Sequence, residues 1–448
     1  MKNKLLFPFI MLLCLSAGAQ NKILITQDVN TAFSGHTWTE KVKNWPGTDY
    51  AVSLTGTDST AGFCVLNYYL FEVNPVPPVF PLWYVDLPPE INHIYDFCVV
   101  DNYVFFCADT FVHNAPNTMF IGYFNLNDLV AGTIVTYTII PIADAITLYK
   151  IAGFHDSHGF RLFAAGTTST LTDNPYAIFE IVNPLTAGGY NFKYFNIQPP
   201  YFTERIDDII FVGKFVIFVG RNDKDTPNNS CGISMRRVVK GLGLSDPDFF
   251  NLYYYTNPTP TQCEYNSSIR AIPLSDETFA IAYAHFENNF FQRVRLINIY
   301  FNNYNSQEYQ CPEKYELHDL TYHRLFGTLT IVEPYKNKSQ FVFLHPHSAT
   351  PYIAGSMRDP QRSYFSIDTI NSSGLISVDN NLWLMLKAPV PPVDSACVIK
   401  GTRNVDIIPN LTINTVISAT NIGVGGITPL PLTQIPVSSI LHLQCLSH

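Results

Sequence analysis

The chain has 448 residues, with 27 Lys and Arg against 36 Asp and Glu, and a formal charge of −9. Charged residues make up only 14%, where roughly 25% is usual for a soluble protein. Aromatic residues reach the same 14%, mostly Phe and Tyr. That balance excludes a disordered chain, and the lack of a basic stripe excludes a nucleic-acid partner.

In chain order, residues 1–19 read as a secretory signal peptide. Lys2 and Lys4 give a positive start, Leu5 to Leu15 an apolar run, and Ala17-Gly18-Ala19 a small-residue cleavage site before Gln20. The run is short of the roughly 20 residues that a membrane span needs. Later apolar runs are broken by Gly, Pro or Asn, so no transmembrane segment is expected after cleavage. Lipidation at Cys14 is the alternative, but Leu13 is larger than the residue that normally precedes a lipidated Cys. The Ala-Gln ending resembles signal peptides of Bacteroidetes. The expected address is exported: periplasmic, cell-surface or extracellular.

From Lys22 onward, β-rich runs alternate with Asn, Asp, Gly and Pro clusters, and no segment keeps a helical period. The fold class is therefore all-β. KILITQDV from Lys22 is a first strand candidate. DYAVSLTG from Asp49 and GFCVLNYYLFEV, ending at Val73, read as an N-terminal repeat copy. IYDFCVVDNYVFFCAD from Ile94 is followed by MFIGYFNL. The same layout recurs at Leu148 (LYKIAGFHDSHGFRLFAAGT), Ile206 (IDDIIFVGKFVIFVGRND), Ile269 (IRAIPLSDETFAIAYAHF), Leu317 (LHDLTYHRLFGTLTIVEPY) and Phe365 (FSIDTINSSGLISVDNNLWLMLKAP). Each copy is a strand, a turn, a second strand, a loop and a third strand, with tight turns at Asp101-Asn102 and Gly213-Lys214.

Seven copies of this kind resemble the blades of a β-propeller, which implies seven blades of three to four antiparallel strands. The repeats span about 45–400 within one domain, 20–448, and residues 401–448 form a ring-closing or appended β segment. In such a ring, a strand from one terminus completes a sheet begun by the other. A pair of β-sandwiches is the competing architecture. The chain as a whole resembles secreted Bacteroidetes-type propeller repeat proteins. Trp-Asp dipeptides and kelch-type Gly-Gly pairs are missing, so the specific family stays open.

Removal of Cys14 leaves eight Cys in an exported chain, a number that permits disulfides. Cys397 with Cys445 is the preferred bridge and Cys231 with Cys263 the second. Cys98 should sit opposite Phe105 across its hairpin, diagonal to Cys107, which leaves buried thiols as the alternative there.

Candidate chemistry is sparse. Asp223 and Asp225, in a loop with Asn222, Asn228 and Asn229, offer oxygen ligands to calcium, the one cofactor considered. His155-Asp156-Ser157-His158 and His345-Pro346-His347 resemble metal ligands but read better as polar turns. Asp96, Asp207, Asp208, Asp319 and Asp368 recur near the starts of copies. Such recurrence points to bonding between blades more than to the carboxylate pair of a glycosidase. Tyr253, Tyr254 and Tyr255, in an insertion between copies, and Tyr304, among asparagines, could stack on a sugar or anchor a protein. The expectation is a binding or interaction module for a glycan or protein partner, leaning away from an enzyme. A glycan hydrolase or lyase acting at the central channel is one alternative, and a subunit of an outer-membrane or surface assembly is another.

Overall fold

The computed structural model describes the strands between residues 22 and 437, the short helix Leu126–Val130 and several short turns between strands; residues 1–21, 438–448 and the other loops lie outside the described residues. The described residues form seven antiparallel sheets. Their first strands are Trp38–Asn44, Ile91–Val100, Ile146–Asp156, Phe202–Val212, Arg270–Pro273, Tyr315–His323 and Ser366–Ile370, which number sheets 1 to 7. Each first strand touches that of the next sheet, and the seventh touches the first, so the seven close a ring. From each, the sheet runs outward strand by strand in chain order. This is the propeller arrangement, with all its sheets antiparallel.

The apolar runs follow from burial on both faces. In the strand Tyr103–Thr110, Val104, Phe106 and Ala108 pack with Phe63, Phe97 and Val85 between sheets 1 and 2. The alternate residues Phe105 and Cys107 pack with Leu162 and Phe179 between sheets 2 and 3. Further cores join sheets 3 and 4 around Phe163 and Phe218, and sheets 4 and 5 around Ile217 and Tyr283. The hairpins turn where the sequence places them. Val100 pairs with Tyr103 around Asp101-Asn102, Asp101 taking a φ of +50°. Val212 pairs with Phe215 around Gly213-Lys214, Gly213 taking a φ of +53°.

Two expectations need correction. The first copy begins at Trp38 and not near residue 50; Tyr50–Gly56 is the second strand of sheet 1. WTEKVKN escapes an apolar-pattern search because it lines the centre, where its lysines meet acids. Each copy supplies three or four strands, as expected, and a strand from the N-terminal segment or the tail brings six of the sheets to four or five. The segment Phe250–Tyr255 is no loop insertion but the fourth strand of sheet 4, as its aromatic composition favours.

Described strands toward both ends of the chain join the sheets. Lys22–Thr26 pairs with Leu382–Lys387 as the fourth strand of sheet 7. Beyond sheet 7, short strands Val398–Ile399, Leu411–Asn414, Thr420–Ile422, Thr428–Pro431 and Thr433–Val437 add to the outer edges of sheets 6, 4, 3, 2 and 1. The tail thus visits the rim in the reverse of chain order.

Candidate functional site

Two places gather polar side chains: the centre of the ring and the end where the hairpin turns lie. At the centre, the first strands of sheets 1, 2, 3, 4 and 6 each carry a β-bulge, just before Lys41, Asp96, Lys150, Asp208 and Asp319 respectively. A bulge re-aims the following side chain. Lys41 Nζ lies 2.8 Å from Asp96 Oδ1, Lys150 Nζ 3.7 Å from Asp96 Oδ2 and 3.0 Å from Asp208 Oδ1, and Arg270 Nε 3.6 Å from Asp319 Oδ1.

The acids also bond backbone across sheets. Ile151 N–H donates to Asp96 (3.1 Å), Ala271 N–H to Asp208 (2.8 Å), Ile367 N–H to Asp319 (3.0 Å) and Asn44 N–H to Asp368 (2.7 Å). Every one of these bonds runs from a sheet's acid to the first strand of the next. Ser366 Oγ–H adds a bond to Asp319 at 2.7 Å. Asp207 lies 3.2 Å from the Arg205 guanidinium. Bonding between blades, the reading favoured by the sequence, accounts for Asp96, Asp208, Asp319 and Asp368.

The charges alternate around the ring until sheets 6 and 7, which both bring an acid. Sheet 1 answers with two lysines spaced for one face of a strand: Lys41 serves Asp96, and Lys43 serves Asp368 electrostatically. Burial pushes the Asp96 carboxyl up, but Lys150 and Lys41 outweigh it and hold the group well below the usual range. Burial lowers Lys150, yet Asp208 and Asp96 more than offset this and keep it above the usual lysine range. Asp368 is raised, by burial first and by Asp319 in addition, despite Lys43.

The sequence reading missed these cations. Their signal was position and not type: Lys150 stands third in LYKI as Asp96 does in IYDF, Asp208 in IDDI and Asp319 in LHDL.

At the turn end, half-exposed aromatics and cations cluster on sheets 3 and 4. His155 stacks on Phe160 with centroids 4.0 Å apart, and its Nδ1 lies 2.6 Å from Asp101 Oδ2 of sheet 2. Lys240 Nζ lies 5.6 and 5.7 Å from the rings of Phe154 and Phe211. Burial lowers its proton affinity, against the pull of Asp156 and Asp276. The loop that carries it is pinned from below. Arg161 donates to Gly241 O (2.8 Å) and pairs with the fully buried Glu180 (2.6 Å), which accepts from Leu244 N–H (2.9 Å). Above this clamp stands Leu242, 47% exposed, the exposed large apolar side chain among the described residues.

The other candidates fall as follows. Tyr253, Tyr254 and Tyr255 lie in a strand between Gly232–Val239 and Leu411–Asn414, not in a loop. Asp223 and Asp225 belong to the strand Phe215–Asp225, whose end pairs with Phe202, so the loop expected to present them is strand instead. Tyr304, Cys231, Cys263, Cys397, Cys445 and His347 lie outside the described residues. Cys64 is buried, Cys98 and Cys107 are buried free thiols, and Cys98 sits opposite Phe105 as its hairpin requires. His155 and His158 bond to Asp101 and Asp156 at the turns. Among the described residues, no three His, Cys, Asp or Glu side chains gather as a metal set, and no helix is long and apolar enough to cross a membrane.

The sheets and their ring define the chain as a β-propeller protein. No protein-family model and no curated protein matches it. Among solved structures, extracellular domains 1–2 of Drosophila Semaphorin 1a match at 9% identity and a TM-score of 0.38, over 66% of this chain and 86% of that one. NanB with Optactamide matches at 7% identity and a TM-score of 0.36, over 82% of this chain and 93% of that one.

Proposed function

We propose that the chain is an exported binding module whose turn-end loops engage a glycan or protein partner. The observation that carries this reading is the commitment of the inner-strand acids. Asp96, Asp208, Asp319 and Asp368 each accept a backbone N–H from the neighbouring sheet. A glycosidase at the central channel needs two carboxylates able to exchange protons with a substrate, and the ring's own bonding claims these four. The turn end offers instead a rigid loop with exposed and half-exposed groups, the arrangement by which scaffolds present binding residues.

The test is a thermal-shift screen of the chain from Gln20 against glycan pools, with calcium and with chelator. A ligand at 100 times its Kd raises stability by about 2.7 kcal/mol. A shift without release of reducing ends supports the module. Turnover at the channel, abolished by Asp319→Asn in a folded variant, would sink it in favour of a hydrolase or lyase. Destabilisation by chelator would assign calcium to the Asp223 and Asp225 segment.

A further inference from the structure

The turn end of sheets 3 and 4 holds cations in a row, each fixed against an aromatic ring. The Arg237 guanidinium lies 4.4 Å and Lys214 Nζ 5.3 Å from the centroid of Phe215. Lys240 follows, over Phe154 and Phe211, its backbone N–H donating to Lys214 O at 2.8 Å. His155 on Phe160 extends the row toward sheet 2. Cations are scarce in this acidic chain, 27 in 448 residues, so three together on one short edge stand apart from its composition.

Two features make the row more than a solvated face. Rings hold the cations in place, which lowers the ordering cost of binding. Lys240 is also partly desolvated while Asp156 and Asp276 act on it through space rather than by hydrogen bonding. A half-buried ammonium over hydrocarbon rings gains from an incoming anion. Asp101 and Asp156 lie beside the row and accept hydrogen bonds. They suit a ligand that brings hydroxyl donors as well as negative charge, whereas a phosphate backbone brings charge alone.

We propose that this row is a subsite for an acidic glycan, whose sugars carry carboxylate or sulfate groups against Arg237, Lys214 and Lys240 and whose hydroxyls face Asp101 and Asp156. This rests on the binding-module reading and narrows its ligand.

The test titrates the full chain from Gln20 with polygalacturonate, heparin, neutral dextran and a thymidine oligonucleotide, at low and high salt. Lys214→Gln/Lys240→Gln and the charge-keeping Lys240→Arg are run beside it, with melting curves to confirm folding. Tight binding of polygalacturonate or heparin, weakened about tenfold or more by the double substitution and kept by Lys240→Arg, is the expected result. Which polymer binds tells carboxylate from sulfate. Acidic-glycan binding unchanged by the double substitution overturns the subsite, as does equal affinity for the oligonucleotide. Binding of dextran alone overturns the acidic preference while leaving the module intact. No glycan binding at all overturns both this subsite and the glycan half of the module.

Discussion

Replacing Asp96 by Ala tests the idea that central charges hold the sheets together. The carboxyl is 2% exposed and serves Lys41, Lys150 and the Ile151 N–H. Its loss leaves Lys41 with the Tyr95 carbonyl, Lys150 with Asp208 alone, and the Ile151 N–H without its acceptor. Removing one partner of a buried pair costs about 3–5 kcal/mol. Because Lys41 and Lys150 keep some contact with water, 29% and 18% exposed, the lower end of that range applies. Unfolding entropy runs at roughly 2.1 cal/mol/K per residue, or about 0.9 kcal/mol/K here, so a loss of about 3 kcal/mol lowers Tm by about 3–4 °C. Calorimetry of Asp96→Ala, Lys41→Met and the double variant checks this, and the pair should couple by at least about 1 kcal/mol. Losses that add within about 0.5 kcal/mol, or a Tm unmoved by Asp96→Ala, would refute the reasoning.

Acid should act on the ring in two opposite senses. Asp368 is raised above its unfolded value, so the folded state takes up its proton first: stability rises as pH falls through that raised value and is fully gained below about pH 4. Asp96 is lowered, so its contribution holds above about pH 4 and drains away below it. Melting curves across pH 7 to 2 should therefore rise before they fall, and a monotonic loss counts against the account of Asp368. Burial raises the thiols of Cys98 and Cys107 far above the ordinary range. Both should resist iodoacetamide in the native protein and react after unfolding; a Cys98–Cys107 disulfide in the mass spectrum contradicts this. A Cβ at Gly122 would meet the Phe106 ring 2.2–2.7 Å away, so Gly122→Ala should cost about 1–3 kcal/mol by overpacking, read as a lower Tm. An unchanged Tm would show that the ring moves aside freely.

Much of the fold was legible because burial on both faces writes itself into sequence. Strands such as IIFV and FVIFV announce sheets stacked on both sides, and the Asp101-Asn102 and Gly213-Lys214 turns fix their registers. The failures share one cause. Trp38–Asn44 is polar because it faces charged neighbours, and no local pattern reveals a strand whose partners lie in other sheets. The tail strands are shorter still and draw their conformation from edges already formed. At the centre, a comparison by residue type found the acids and passed over Lys150. A comparison by position within the copy would have found both signs of charge. The aromatic and basic row escaped for a related reason: Lys214 comes from a hairpin turn, Arg237 from a strand and Lys240 from the loop after it, and only the pairing of Phe215–Asp225 with Gly232–Val239 brings them to one edge.

The seventh sheet has a consequence for the order in which the molecule can be made. Its outermost strand, Lys22–Thr26, precedes every other described strand in the chain, and the register sets Lys22 opposite Leu386, more than 360 residues later. That strand must wait, unpaired, while six sheets form behind it. Contacts so distant in sequence are the slowest to form. Sheets 1 to 4 acquire their outer strands later still, from Leu411 to Val437. Nascent or partly exported chains therefore expose the outer strands of sheets 1 to 4, which the tail strands later cover, and their vulnerability to wrong pairing lasts until those strands arrive.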